Sequence, residues 1–382
     1  MLEATPPKPS PTNMDVHASS VEKASCNSLV VEMLREQLAE AEKGQVSFGA
    51  VVTVEAPNII RGAVQGSGYM EEHALEGVEF IRERLKATVH NRTVREIDPD
   101  LDASWVCYQA ATAPISFDVI TWLVEATMIM RREGAPGPLK VGFWLGRDGK
   151  TGVGTPARRR AFDNVVRAAL PLIGAVEDNR AILGRAKHYY ASRDIVAAYK
   201  AGEELPKLRS VSQRKLPPGT VTITLRETDE WPHRNSNLPA WVKFAGDLKA
   251  KGYRPLFLRD TAKAFEPIDG FETYPRGSIE LDARMAAYES ADANLLVGNG
   301  PVHLCLYSDA PYLEFHEVEP DGHKYTADTP EFWRDHYGVE LGGQYPWSKP
   351  TQRIVWEPDN YATISEAFER YFGNGVRLAA AE

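Results

Sequence analysis

Short β-branched or apolar runs alternate along the chain with longer segments whose apolar residues recur every three to four positions. Residues 28–43 carry Leu29, Val30, Met33, Leu34 and Leu38 at helical spacing, and 48–54 is a run suited to a buried first strand. A loop containing Gly62, Gly66 and Gly68 follows, and 69–86 is helical in pattern. Strands are then expected at 104–109, 139–145 and 172–176. Between them fall helices over 116–132, with Ser116 as N-cap and Asp118 in the first turn, and from Thr155-Pro156 to Leu170. The alternation restarts with Thr-Val-Thr-Ile-Thr-Leu at 220–225. Asn237 caps a helix that runs to about Lys251, with Trp241, Phe244, Ala245 and Leu248 on its inner face, and Gly252 stops it. Strands at 254–258, 293–297 and 311–315 and a helix over 280–291 follow. Residues 316–350 are rich in aromatics and turns, 352–356 is a short strand, and 361–372 is a closing helix.

Strands alternating with helices of this length predict α/β architecture, with parallel sheets covered by helices on both faces. The polar, proline-bearing stretches at 202–206 and 215–219 divide the chain. The expected organisation is a disordered tail over 1–27, an N-terminal α/β domain over 28–201 and a linker over 202–219 that forms a hinge. A C-terminal α/β domain over 220–360 and a closing helix and tail over 361–382 complete it. Open parallel sheets bind ligands beyond the C-terminal ends of their strands, so two facing sheets put the site in one cleft.

Composition narrows the partners. The 382 residues carry a formal net charge of −9, which argues against a general nucleic-acid binder, whose basic face must replace counterions. Cys26, Cys107 and Cys305 form no close pair and no metal spacing. No apolar run reaches the roughly 18 residues of a membrane helix. The first 20 residues hold four prolines and no apolar core, so a secretory signal is not expected there, and the reading is cytoplasmic.

The chemistry gathers at strand ends. After the apolar run ending at Val297 come Gly298, Asn299, Gly300 and Pro301, then a helix-like stretch. Glycines at such a turn take backbone angles closed to other residues and let a ligand approach the main chain. The free N–H groups of a helix start attract a phosphate. The same pattern also suits a buried strand-turn-helix with no ligand. Arg226 directly follows the strand at 220–225, where a guanidinium can fork onto a phosphate or instead pair with Glu227 or Asp260. Arg234 is a second cation in the loop beyond it, or a solvated loop residue. Gly66 and Gly68 lack the third glycine of the dinucleotide fingerprint, so no NAD site is expected, and the loop is at most a secondary ligand contact. His303 lies in the first helical turn after Pro301. Glu314, His316, Glu317, Glu319, Asp321 and His323 match no metal spacing and read as a solvated loop.

The segment 280–313 resembles the donor half of GT-B-fold glycosyltransferases, most nearly the heptosyltransferase-like families. The resemblance rests on a Leu281/Met285/Tyr288 helix face, a strand, and a glycine turn leading into Gly300-Pro301-Val302-His303-Leu304. Those families usually have Asp-Ser-Gly-Pro where this chain has Gly298-Asn299-Gly300-Pro301, which leaves the donor contacts and donor identity open. The resemblance implies two Rossmann-like domains with parallel sheets facing a cleft. It also implies transfer of a sugar from a nucleotide-sugar donor to a glycan or other acceptor, with no cofactor and no metal. On that reading Arg226, Gly298, Asn299, Gly300 and His303 hold the donor diphosphate. A base is needed for the acceptor proton. Asp118 and His73 are the candidates by location, with Glu55 and Asp102 behind them. A nucleotide-sugar epimerase of the same architecture, or a non-catalytic sugar-nucleotide or glycan-binding protein, fits the same features.

Overall fold

The computed structural model describes residues 49–56, 59–65, 100–110, 113, 115–145, 155–185, 192–212, 214–229, 232–318 and 329–373. The chain divides into two compact units, Met1–Glu96 and Ile97–Glu382. In the first unit the described residues form an antiparallel hairpin, β1 (Gly49–Ala56) and β2 (Ile59–Gln65), with a register shift between Val54 and Ala56. The stretch around Gly62, expected to be a loop, is therefore a strand, and the first run of the chain pairs with it rather than entering a parallel sheet. The helices expected over 28–43 and 69–86, Gly66, Gly68, His73 and the side chain of Glu55 lie outside the described residues.

The second unit holds two sheets whose strand pairs are all parallel. The smaller is β3 (Trp105–Tyr108), β4 (Lys140–Phe143) and β5 (Val176–Glu177), in that order. Helix α1 (Asp118–Arg132) connects β3 to β4. Helix α2 (Pro156–Ala161) runs on through a π-helical turn and a 3-10 turn to Ala169. Its start is as read, because the Thr155 side chain accepts from Arg158 N and Pro156 fills the first position, where its missing N–H is not needed. The strand expected at 172–176 is mostly a 3-10 turn, Pro171–Ile173, closed by Gly174 at φ 73°. Only Val176 and Glu177 pair. Helix α3 (Ser192–Lys200) then packs on α1 and buries Ile195 and Val196.

The larger sheet comprises β6 (Thr220–Thr224), β7 (Arg254–Leu258), β8 (Glu272–Thr273), β9 (Ala293–Val297), β10 (Tyr312–Phe315) and β11 (Gln352–Val355). Their spatial order is β11-β10-β9-β6-β7-β8. Numbered from β6, this is 3-2-1-4-5-6 read from the β8 edge, the doubly wound order. Strands buried on both faces normally read as continuous apolar runs. Here β6 keeps three threonines because two of them are satisfied inside the core. Thr222 Oγ1 donates to Asn294 Oδ1 at 2.6 Å, and Thr224 Oγ1 lies 2.7 Å from the Tyr288 hydroxyl.

One face of this sheet is covered by α4 (Leu238–Ala250), together with the closing helix Tyr361–Phe372. Trp241, Phe244, Leu248, Ile364 and Phe368 pack there on Val221, Ile223, Leu295 and Leu313. Asn237 caps α4 through Ala240 N, as its sequence implies. The other face carries α5 (Pro275–Ile279), α6 (Leu281–Ser290) and α7 (Val302–Leu306). Their buried residues Met285, Tyr288 and Leu304 belong to the same apolar core as Val106 and Val141 of the smaller sheet and Leu123 of α1.

The segment joining the two sheets is strapped down along its length. Ser210 Oγ and Val211 N donate to Asp282 Oδ1 at 2.8 Å each, Leu216 N to Ser290 Oγ at 3.0 Å, and Gly219 N to Asp292 Oδ2 at 2.8 Å. Lys207 and Arg209 both reach Asp309, at 2.5 and 2.7 Å. These bonds tie the segment to α6, to its end and to Asp309.

Candidate functional site

In the doubly wound order the sequence reverses direction between β6 and β9. The connections leave these two strands to opposite sides, and a crevice opens beyond their C-terminal ends. A cavity of about 840 Å³ lies there, lined also by Asp118 and Thr121 of α1 and Arg160 of α2. Of the sequence-predicted residues, Asp118, Arg226, Arg234, Gly298, Asn299, Gly300 and His303 all border it.

The strands deliver their groups in order along the edge. After β6 comes Arg226, whose backbone is tied to the following loop: Ser236 Oγ accepts from its N–H and its carbonyl accepts from Ser236 N. After β7 comes Arg259, buried and bidentate to Glu227 at 2.6 and 2.9 Å, with Nη1 donating to the Glu266 carbonyl. Hydrogen bonding to Glu227 raises the Arg259 pKa further. Arg259 is thus a partner of Glu227. Arg284 of α6, also buried, donates to the carbonyls of Gly277 and Ser278 at the end of α5.

After β9 comes the glycine turn, and here two expectations are corrected. Neither Gly298 nor Gly300 is among the glycines with positive φ. Both positions exclude a side chain because aromatic rings press on them. A Cβ on Gly300 would sit 2.6 Å from Phe117 Cδ2, and one on Gly298 would sit 2.0 Å from His316 Nδ1. The helix start is not a set of free donors either. Helix α7 has five residues, and its first N–H groups are already bonded: Val302 N to Asn299 O, His303 N to Gly300 O, and Leu304 N to Pro301 O, at 3.1–3.2 Å. The turn is also held from the other side, since Arg234 Nη2 donates to Gly298 O at 3.1 Å. Arg234 is therefore a brace for the turn, not a solvated loop residue. Asn299 Oδ1 is buried in the cavity wall with no hydrogen-bond partner among the described residues.

Asp118 and His303 meet across the cavity floor. His303 Nε2 lies 4.0 Å from Asp118 Oδ1, and His303 Nδ1 is 3.0 Å from Thr121 Oγ1, which in turn donates to Tyr307 OH at 3.3 Å. Burial lowers the His303 pKa, against the charges of Asp118 and Glu314, so the imidazole is neutral at pH 7. Asp118 keeps a more open position, its side chain 36% exposed. Its other oxygen, Oδ2, accepts from Ser116 Oγ at 2.6 Å. Ser116 is therefore a partner of this carboxylate, not the helix cap, which is Phe117. Asp102 takes no part: its Oδ1 accepts from Ser104 N and Oγ at the N-terminal end of β3, the wrong edge of the sheet.

Near the C-terminal end of β10, Glu314 within the strand and His316 just beyond it are two residues that sequence reasoning placed in a solvated loop. Glu314 and His316 are 4% and 7% exposed, and both line the cavity. His316 Nδ1 is 3.2 Å from Glu314 Oε1, and the imidazole stands edge-on to Trp333 at 4.6 Å. The signal available in sequence was the alternation Tyr-Leu-Glu-Phe-His continuing the strand. The charges either side of it outweighed that pattern.

No protein-family model matches the chain, and no curated protein matches its sequence. Solved structures similar to it include the E. coli heptosyltransferase WaaC with ADP-2-deoxy-2-fluoro heptose, at 15% identity and TM-score 0.38, covering 69% of this chain and 99% of that one. The E. coli heptosyltransferase WaaC with ADP is similar at 14% identity and TM-score 0.39, covering 70% and 98%. The iron-containing dodecameric glycosyltransferase TibC from enterotoxigenic E. coli is similar at 15% identity and TM-score 0.35, covering 55% and 57%.

Proposed function

We propose that the chain is a glycosyltransferase that moves a sugar from a nucleotide-sugar donor to a hydroxyl of a glycan or other acceptor. The observation that carries this reading is the cavity at the β6/β9 switch point, whose lining brings together the guanidinium groups of Arg226 and Arg160 and the accessible carboxylate of Asp118. Arg226, with Arg160 in the same lining, supplies positive charge where a diphosphate leaving group develops its own. Arg234 keeps the turn in place beneath it. Asp118 is the acceptor base: it is exposed to the cavity, and Ser116 fixes one oxygen so that the other is presented. Neutral His303 gives that oxygen a neighbour that does not compete as a fixed charge. A sugar held between diphosphate and Asp118 loses its bond to phosphate as the acceptor oxygen, deprotonated by Asp118, attacks the anomeric carbon.

Titration calorimetry with ADP, UDP, GDP and CMP tests the nucleotide site. One of them is expected to bind, and Arg226→Ala is expected to weaken it by about 1.5–3 kcal/mol. In a transfer assay Asp118→Asn is expected to retain nucleotide affinity and lose turnover by about 100-fold or more. Binding of no nucleotide, or full turnover in Asp118→Asn, would refute the reading.

A further inference from the structure

Charged groups of different kinds stand along the C-terminal edge of the larger sheet. Arg226 stands at the end of β6 and the Glu314–His316 pair beyond β9, at the end of β10, while Arg259 at the end of β7 is already paired with Glu227. Adjacent strands are about 4.8 Å apart, so these two chemistries are separated by roughly 10 Å. A phosphate is drawn to the first and repelled by the carboxylate of the second. Resting on the function proposed above, we infer that Glu314 and His316 form the subsite that recognises hydroxyl groups of the transferred sugar.

Four observations converge on this assignment. A carboxylate can accept about four hydrogen bonds, and among the described residues Glu314 takes one, from His316. A buried carboxyl group is costly unless its hydrogen-bonding capacity is used, and the hydroxyls of a sugar are donors that would use it. Asn299 Oδ1, on the adjacent strand's turn, is a second buried acceptor in the same wall. Two neighbouring acceptors call for a ligand rich in donors, which a sugar is and a diphosphate is not. The pair is also pre-organised: the bare α-carbon of Gly298 lies against the His316 ring on one side, with Trp333 and Trp356 edge-on at 4.6 and 6.0 Å. Finally, Glu314 lines the same cavity as His303, which is itself 4.0 Å from Asp118, so a sugar bound there shares the cavity with the proposed base. The order sugar, diphosphate, nucleoside then runs from β10 through β9 and β6 to β7.

The test compares nucleoside diphosphates with their sugar conjugates. ADP and ADP-glucose, UDP and UDP-glucose, and GDP and GDP-mannose are titrated into the full chain, and the pair that binds is carried forward. Glu314→Gln is expected to weaken the sugar nucleotide at least about tenfold while changing the diphosphate less than twofold. Equal weakening of both, or of neither, overturns the inference while leaving the nucleotide site intact. Failure of every nucleotide to bind the wild-type protein overturns the proposed function and this inference together. Deoxy-sugar analogues of the binding conjugate give a readout that needs no variant to fold. At least one is expected to bind the wild-type protein about tenfold more weakly, and undiminished affinity for all of them overturns the inference.

Discussion

Gly300 offers a sharp test of how the cavity floor is built. If the turn needed glycine for its backbone angles, any side chain there would strain it. The structure gives a different reason, because the φ of Gly300 is not positive and the obstacle is the ring of Phe117. An alanine Cβ would lie 2.6 Å from Phe117 Cδ2 and 3.1 Å from its Cβ and Cγ, where 3.4 Å begins ordinary contact. The ring must therefore retreat by about 0.8 Å, and overpacking of this kind costs about 1–3 kcal/mol. Phe117 is the N-cap residue of α1 and is only partly buried, so it can yield, which favours the lower half of that range. Gly300→Ala is thus expected to cost about 1–2 kcal/mol in denaturant unfolding. In a Phe117→Ala background the same substitution should cost close to nothing, giving a coupling of about 1–2 kcal/mol in a double-mutant cycle. An equal cost in both backgrounds would refute the steric account and return the requirement to the turn's own backbone.

Three further outcomes are expected. Gly246 sits inside α4 with nothing within 4 Å of the place a Cβ would occupy, so Gly246→Ala should raise stability by roughly 0.5–1 kcal/mol in the same assay; a loss would contradict that open space. Glu227→Ala leaves Arg259 buried without its carboxylate and should cost about 3–5 kcal/mol, whereas Arg254→Ala at the exposed Glu272 pair should cost less than about 1 kcal/mol. Because burial lowers the His303 pKa, the unfolded chain takes up that proton first as the pH falls below the ordinary 6.5, so stability should be level above 6.5 and decline below it towards the folded-state value. Melting curves at pH 7.5 and 5.5 check this: His303→Gln should show a smaller difference than wild type, and an unchanged difference would remove His303 from the balance.

The local pattern of the chain determined five of the six strands of its larger sheet, and missed only the two-residue edge strand β8. Runs such as 293–297 and 255–258 are buried, and burial of that kind leaves a largely apolar trace. Caps at Asn237 and Thr155 are equally local, since a side-chain oxygen and an N–H three residues on are enough. The same strands marked where the cavity lies, because a strand's C-terminal end is a property of the sequence itself. Tertiary structure decided what the residues at those ends do. Glycine at 298 and 300 is needed because rings from residues 316 and 117 arrive there, and no spacing within the turn records that. The linker reads as a hinge from its prolines, but its polar atoms are bonded to Asp282, Ser290 and Asp292, partners supplied by a helix and its end some 70 residues later. Glu314 and His316 look solvated among their charged neighbours, yet the strand β10 carries them into the cavity wall, where burial turns two ordinary polar residues into a fixed pair. Long-range packing sets the environment of a charge, and environment, more than residue type, sets what that charge can do.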